Sequence, residues 1–556
     1  MTSHDTSGTI SAWRRRVGVT ALFVALTAVM TWPQARVIGT HAAEHQDVYF
    51  NLWRLEWIAR ALASSPADLF NGNQFYPERG VLAYSDAMLV EGALATPLIW
   101  AGLPPVLVHN LMLLGAIAAS GIGMFVFARH FSGSAAGGVA AGIVFAFAPY
   151  RFDHYMHMEL QWAVWMPWAF WALQRTVETG AARFGVLTGV FVALQVLSSI
   201  YYGVFLSILI VVVALAQLSP LPGRRLVITL RSLAIGGVIA GAVAGVYSRP
   251  YVDASRRVGT RHLHEITMFS ARPRDYRMAT NSNLVYGSRH GQPERQLFPG
   301  VLPLLLALIG LLLVPPTATA IAYVLGLVLA FEISLGMYGQ LYPFLHEHVG
   351  VFRGLRAPAR ASIFCLLFLG ALAARGYAAL AASMAPRLRQ VFASAIVGVL
   401  LLEYWVAPLA LVPFHNEPPP LYRWLAMQPR GVVAEFPMPF PHRLPGLESR
   451  YLYMSTFHWM PILNGYSGYY PESYTRRLRP LEKFPDASAI DYLRSEGVRY
   501  LIVHGGAYSS EVRRLIVRHL TLELGLPHIA NFSDGWGEGF VFELRLTVAE
   551  ERTPER

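Results

Sequence analysis

The chain has 556 residues, of which 54% are hydrophobic, 12% aromatic and 14% charged, a profile of polytopic membrane proteins that excludes an ordinary soluble domain. Its formal charge of +11 comes from arginines set between apolar runs, Lys483 being the only lysine; handling of anionic lipid or phosphate explains this better than nucleic-acid binding does. The single cysteine, Cys365, excludes an intramolecular disulfide.

Arg14, Arg15 and Arg16 precede an apolar run from Val17 to Trp32. A secretory signal cleaved near Ala43 would share this pattern, but the many apolar runs that follow favour an uncleaved first span. About 20 apolar residues cross a bilayer, which predicts eleven spans, near 17–34, 105–128, 134–149, 160–176, 182–199, 202–218, 226–248, 298–314, 317–336, 359–383 and 390–412. The run from Asp86 to Leu103 carries Glu91 and is interrupted by Pro97, so it predicts an interfacial or re-entrant helix. With the N-terminus inside, Arg129 with His130, Arg175 with Arg183, Arg224 with Arg225, and Arg387 with Arg389 fall on the cytoplasmic side, as the positive-inside rule requires. Outer loops then cover 35–104, 150–159, 249–297 and 337–358. The 249–297 loop opposes the rule, with nine arginines against four acids. Merging 182–218 into one broken helix would return that loop to the inside but misplace Arg224, Arg225 and the C-terminal region.

The segment THAAEHQDVYFNLWRLEWIARAL places Asp47 ahead of apolar positions Tyr49, Phe50, Trp53, Trp57 and Ala61 at intervals of three and four. That spacing predicts an amphipathic helix lying in the membrane interface, with Arg54, Glu56 and Arg60 on its wetter side. Asp47 is either the N-cap of this helix or a functional acid. The segment APYRFDHYMHMELQW concentrates Arg151, Asp153, His154, His157 and Glu159 between two spans, where ionisable groups need water, a partner or a ligand. His154 and His157, three apart, could present a metal site completed by Asp153 or Glu159. Belt residues and phosphate or sugar contacts are the other readings.

In the long loop, Arg256, Arg257, Arg261, Arg272, Arg274 and Arg277 suit bidentate phosphate recognition or anchoring on anionic head groups. Arg353, Arg356 and Arg360 in FRGLRAPARAS read as head-group anchors at the mouth of the tenth span. From Phe414 hydropathy falls: GVVAEFP, VRYLIVH and GFVFELRL predict strands, and DASAIDYLRSEG a helix capped by Asp486 and stopped at Gly497. Residues 1–413 thus form a transmembrane domain and 414–556 a soluble extracytoplasmic α/β domain, with a frayed tail over 550–556. Within it, YLYMSTFHWMPILNGYSGYYPESY packs Tyr451, Tyr453, His458, Trp459, Asn464, Tyr466, Tyr469, Tyr470 and Tyr474 together, to cover a sugar face or to contact the membrane bundle. No phosphate-cradling loop, dinucleotide fingerprint, HExxH helix or GxSxG elbow occurs, so a soluble nucleotide-sugar donor is not supported.

This order of features resembles the GT-C superfamily of polyprenyl-phosphate-sugar-dependent membrane glycosyltransferases. QDVYFNLWRLEW, NQFYPERGVLAYSDAML, FAFAPYRFDHYMHMELQWAVWMP, SSIYYGVF, LRAPARAS and ILNGYSGYYPESY are similar to a largely uncharacterised bacterial family of that type, over almost the whole chain. The resemblance implies an α-helical GT-C-like bundle in the inner membrane, a polyprenyl-phosphate sugar donor, and a glycan, lipid or protein acceptor in the cell envelope. It implies that Asp47 is the first-outer-loop acid, catalytic base or metal contact, and that Asp153 or Glu159 is the second. Glu44 does not form the adjacent Asp-Glu pair of protein mannosyltransferases. Arg151, His154, His157, Glu159, Arg256, Arg257, Arg261, Arg272 and Arg274 would bind substrate or its phosphate, with a divalent metal ion as a further candidate. The reading requires Asp47, Glu159 and an arginine of the long loop to line one outward cavity. A lipid-saccharide carrier and a non-catalytic assembly factor are the alternatives.

Overall fold

The computed structural model describes residues 6–287, 291–441, 446–534 and 537–544; the predicted tail at 550–556 lies outside them. The chain is largely helical. Five helices are long and apolar enough to cross a membrane by length and composition: Pro105–Ser132, Ala135–Asp153, Ile200–Leu218, Gly223–Val258 and Pro358–Ala382. Shorter apolar helices, Arg16–Met30, Leu89–Trp100, Ala182–Ser198, Val301–Leu313 and Ala318–Ser334, accompany them. Helices Trp165–Thr179 and Pro386–Glu403 fall on the expected runs 160–176 and 390–412. Helix Ser362–Ala382 is buried along nearly its whole length and packed against Ala135–Phe147, Val301–Leu313 and Ala318–Ser334.

Glycines let several helices approach backbone to backbone, as in membrane bundles where small residues replace the missing hydrophobic drive between helices. A Cβ on Gly185 would collide with the Ser232 carbonyl, one on Gly189 with the Gly236 carbonyl, and one on Gly376 with the Leu306 carbonyl. Helices Ala182–Ser198 and Ile200–Leu218 part at the extended Ser199. Gly203 then lies against the Val196 backbone, an approach that only a chain folded back on itself permits, so 182–218 is not one broken helix.

One boundary differs from expectation. The helix that starts at Gly223 does not end at Arg249 but continues through Pro250 to Val258. Proline in a helix interior removes one backbone hydrogen bond, and here the turn is held by its side chains. Tyr247 and Tyr251 share a hydroxyl hydrogen bond of 2.9 Å, and both pack against Phe70. At about 1.5 Å per residue these 36 residues reach about 54 Å, well beyond a hydrocarbon core of about 30 Å. Arg256 and Arg257 therefore stand at the end of a projecting helix.

After the first helix, strand β1 (His41–Ala43) pairs antiparallel with β2 (Leu411–Pro413), tying the start of the first loop to the start of the C-terminal region. The amphipathic helix is Gln46–Ser64. It buries Phe50, Trp53 and Ala61 as expected, but Arg54 is also buried, at 1% exposure. The expectation that Arg54 faces water fails because Glu159 supplies a counter-charge at 3.1 Å from a distant loop, which the helical period cannot reveal.

Four C-terminal strands, β3 (Val432–Phe436), β4 (Val498–His504), β5 (His528–Asp534) and β6 (Gly537–Glu543), form one sheet in the order β3-β4-β6-β5. The β3–β4 pair is parallel and the others antiparallel. Alternation along the strands divides the packing. Ala434, Phe436, Leu501, Val503 and Phe542 share a core with Leu478, Ile490 and Phe75. Val433, Tyr500, Ile502 and Val541 belong to another core containing Phe50, Trp53 and Tyr453. The amphipathic helix packs on helix Glu448–Met454 of the C-terminal region and shares this core with the sheet. Backbone bonds from Phe75 to Asn464 and from Ile462 to Asn73 reinforce this seam. Helix Ala487–Ser495 ends before Gly497, whose φ of +76° suits glycine; Asp486 precedes the helix but makes no side-chain cap bond.

Replacing Gly236 by Leu is expected to abolish the folded monodisperse fraction on size-exclusion chromatography. Gly241→Leu, on the same helix but with open space around it, is expected to keep that fraction.

Candidate active site

Asp47 lies in the first turn of its helix, but it is not the cap. His45 is the N-cap, and its ring Nδ1 accepts from the Asp47 backbone N–H at 3.1 Å. The Asp47 carboxylate is thus released for other bonds, at the positive end of the helix dipole. Tyr466 donates its hydroxyl to Asp47 Oδ1 at 2.8 Å, and His157 Nε2 lies 2.9 Å from Oδ2. His45 Nδ1 is 3.5 Å from the same Oδ2. The side chain remains 19% exposed. Burial works against its charge, yet His157, His45 and Tyr466 outweigh burial and hold the carboxyl well below the usual carboxylate range. Asp47 is ionised throughout the physiological range.

The line continues inward. His157 Nδ1 is 3.3 Å from His154 Nδ1, and His154 Nε2 is 4.0 Å from Glu294. Glu294 accepts from Arg360 Nε at 2.6 Å and from Arg360 Nη2 at 3.4 Å. Burial pushes His154 down to about 3, only partly offset by Glu294, so its ring is neutral at pH 7. Glu294 is held below the usual range because Arg360 and His154 overcome its burial. Five separate segments thus meet between Tyr466 and Arg360, and Arg360 also stacks 4.8 Å over the Tyr201 ring.

The other candidates have distinct placements. Glu159, 7% exposed, is turned to the Arg54 guanidinium, which also donates to the Asp86 carbonyl at 2.6 Å. Glu159 therefore belongs to a buried ion pair. Arg151 is 2% exposed and donates to the Gln161 carbonyl at 3.0 Å, bracing the loop that carries the histidines. With its amide nitrogen toward Asp153, Gln296 donates to both oxygens of that carboxylate at 2.9 and 3.0 Å. Arg256 is exposed and bonded to Asp253; Arg257 donates to the Arg79 carbonyl at 2.6 Å. Arg272 donates to the Tyr338 hydroxyl at 2.8 Å, and Arg274 is 4.0 Å from Asp275.

Arg261 of the long loop reaches the segment that carries Tyr466. It donates to the Gly468 carbonyl at 2.7 Å and lies 3.3 Å over the Tyr469 ring, two and three residues beyond Tyr466. Glu265 joins it to Arg356, at 3.3 Å from Arg261 and 3.5 Å from Arg356. Arg356 is near enough to Tyr466 to act on its hydroxyl electrostatically. Sequence reading assigned Arg356 and Arg360 to head-group anchoring and gave no site role to Glu294 or His45. The partners of Glu294, Arg356 and Arg360 are too distant along the chain for spacing to signal them.

In this arrangement the candidate metal ligands have protein partners. Asp47 and His157 bond each other, Glu159 is engaged by Arg54, and Asp153 faces Gln296. Among the described residues, no three His, Cys, Asp or Glu side chains are disposed to share an ion.

Glu159→Ala is expected to destabilise the protein by about 3–5 kcal/mol, because it leaves Arg54 buried and unpaired. Thermal unfolding in detergent would measure this; a melting temperature equal to wild type would show that Arg54 finds water or another acid instead.

No protein-family model matches the sequence, and no curated protein matches it. Among solved structures, the chain is similar to the arabinofuranosyltransferase AftD from Mycobacteria. The likeness has a TM-score of 0.63 at 17% identity over 95% of this chain and 41% of AftD. The chain therefore spans less than half the length of that protein. Looser likenesses are to the oligosaccharyltransferase of Archaeoglobus fulgidus. One, AglB in complex with an inhibitory peptide and a dolichol-phosphate, has a TM-score of 0.46 at 10% identity and covers 97% of this chain and 75% of that one. The apo form gives 0.48 at 11%, over 88% and 69%. The chain shares a fold with that arabinofuranosyltransferase.

Proposed function

We propose that this protein transfers a sugar from a polyprenyl-phosphate donor to a cell-envelope acceptor, a glycan, lipid or protein, with inversion at the anomeric carbon. The reaction is assigned to the outer face of the bacterial inner membrane, with residues 1–413 as the transmembrane part and 414–556 as an extracytoplasmic α/β domain. The observation that carries this reading is the ionised, partly exposed Asp47 carboxylate, fixed between His157 and Tyr466 on segments far apart in the chain. A carboxylate has about four lone-pair sites. The two short bonds therefore leave capacity for an acceptor hydroxyl.

In the proposed step the acceptor oxygen attacks the anomeric carbon, and its proton passes to Asp47. The bond from that carbon to the phosphate oxygen breaks, and the electron pair leaves with the lipid phosphate. Arg261 and Arg356, joined through Glu265 beside the Tyr466–Tyr469 segment, are assigned to the charge that develops there. Preorganised cations at a developing charge are commonly the largest single contribution to such catalysis. His157 and Tyr466 keep the carboxylate oriented, while the Arg360–Glu294 pair anchors His154 behind His157. Arg151 and Glu159 are assigned to building the loop and not to touching substrate. Arg256 and Arg257, before Arg261, and Arg272 and Arg274, after it, are left to the lipid surface.

Asp47→Asn is expected to lower transfer of label from a radiolabelled polyprenyl-phosphate sugar in membranes by about 10²–10⁴-fold, the contribution typical of a positioned base. Unchanged transfer in that variant would remove Asp47 from the chemistry.

A further inference from the structure

A second site lies at the other side of the C-terminal sheet and shares no residue with the Asp47 site. Helix Ser510–Arg518, continued by the turn His519–Glu523, is fastened by Ile516 and Leu520, which are 6% and 0% exposed. Beside this seam a groove of about 440 Å³ opens between the helix and strands β5 and β6. Arg514, Arg518 and Thr521 line one wall, His528 faces them from β5, and Val517 and Phe540 supply apolar surface. Helical spacing of three and four residues aligns Arg514, Arg518 and Thr521.

The charge in this groove is unbalanced. Its one acid, Glu538, is bonded to Arg513 at 2.9 Å. Arg514 touches the Ser510 carbonyl through Nε at 3.4 Å, which leaves the outer nitrogens of its guanidinium directed to solvent or ligand. Arg518 and His528 are exposed and form no ion pair among the described residues. His528 instead lies against rings, its centroid 6.0 Å from Phe540 and 5.2 Å from Phe542.

Two guanidinium groups one turn apart suit an anion with several oxygens, because each can donate two parallel bonds. A flat apolar floor and a nearby hydroxyl suit the C–H face and the hydroxyls of a sugar ring. The volume falls within the about 300–1,000 Å³ of small-ligand sites. A long nucleic-acid backbone would need an extended cationic stripe, whereas this groove is short and carries Glu538 in its lining. We propose that the groove binds an anionic saccharide, a sugar carrying a phosphate or carboxylate group, through Arg514, Arg518 and His528, with Phe540 beneath the ring. The inference does not depend on Asp47 catalysis. Where that reading holds, the groove would grip an anionic acceptor glycan away from its reacting hydroxyl.

The test uses the full-length protein in phosphatidylcholine nanodiscs, titrated calorimetrically with glucose 6-phosphate, glucuronate, inorganic phosphate and methyl glucoside. Glucose 6-phosphate and glucuronate are expected to bind more tightly than inorganic phosphate, and methyl glucoside not to bind. Arg514→Gln with Arg518→Gln is expected to weaken the anionic sugars by at least about tenfold, since two charge-assisted contacts are lost; both positions are exposed, so folding is expected to survive. Asp47→Asn is expected to bind these sugars as wild type does, which separates this site from the transfer reading. The proposal is overturned if neither anionic sugar binds at millimolar concentration, if the double variant binds them equally well, or if inorganic phosphate alone binds as tightly.

Discussion

The arrangement depends on one carboxylate being held from two sides. Asp47 is carried by the first loop, His157 by a loop between two helices of the bundle, and Tyr466 by the C-terminal region, and their short bonds meet on its two oxygens. His45 makes this possible by taking over the capping duty that an Asp at a helix start would normally perform. Because the amphipathic helix also packs on helix Glu448–Met454 of the C-terminal region, the carboxylate sits where the membrane bundle and that region are joined. Movement of either part would change what Asp47 touches.

Charges behind that point are balanced in pairs. Arg54 with Glu159 and Arg360 with Glu294 are both largely withdrawn from water. Such pairs add little net stability compared with apolar packing, but removing either partner is costly, so they fix the loops that contribute them. The first fixes Glu159 and hence the turn bearing His157. The second fastens the end of the long loop to the mouth of helix Ser362–Ala382 and backs His154. The neutral, deeply buried His154 therefore acts as a spacer that fixes the ring of His157 and carries no charge of its own at neutral pH.

Much of the fold was legible because hydrophobic length and period are local. The amphipathic helix at Gln46–Ser64, the fold-back near Ser199, the strands at Val432–Phe436 and Val498–His504 and the helix before Gly497 all announced themselves in short windows. Strand β5 did not, since HIANFSD lacks a clear alternation, and the helix through Pro250 was hidden by a residue that usually ends one. The site was legible only in part. Asp47, His154 and His157 stood out as ionisable groups beside spans, whereas Glu294 and Arg360 acquire meaning from a contact across 66 residues and Tyr466 from one across 419. Arg54 misled because periodicity assigns a face to a residue and cannot register a distant counter-charge.

The central claim is that a lipid phosphate is held by Arg261 and Arg356 with the sugar carbon turned toward Asp47. Cryo-electron microscopy of the Asp47→Asn protein with a polyprenyl-phosphate sugar tests it directly. Density for the phosphate within hydrogen-bonding distance of both guanidinium groups, with the anomeric carbon facing residue 47, is the predicted result. A phosphate bound instead beside Arg272 and Arg274, or a sugar remote from residue 47, would contradict the account.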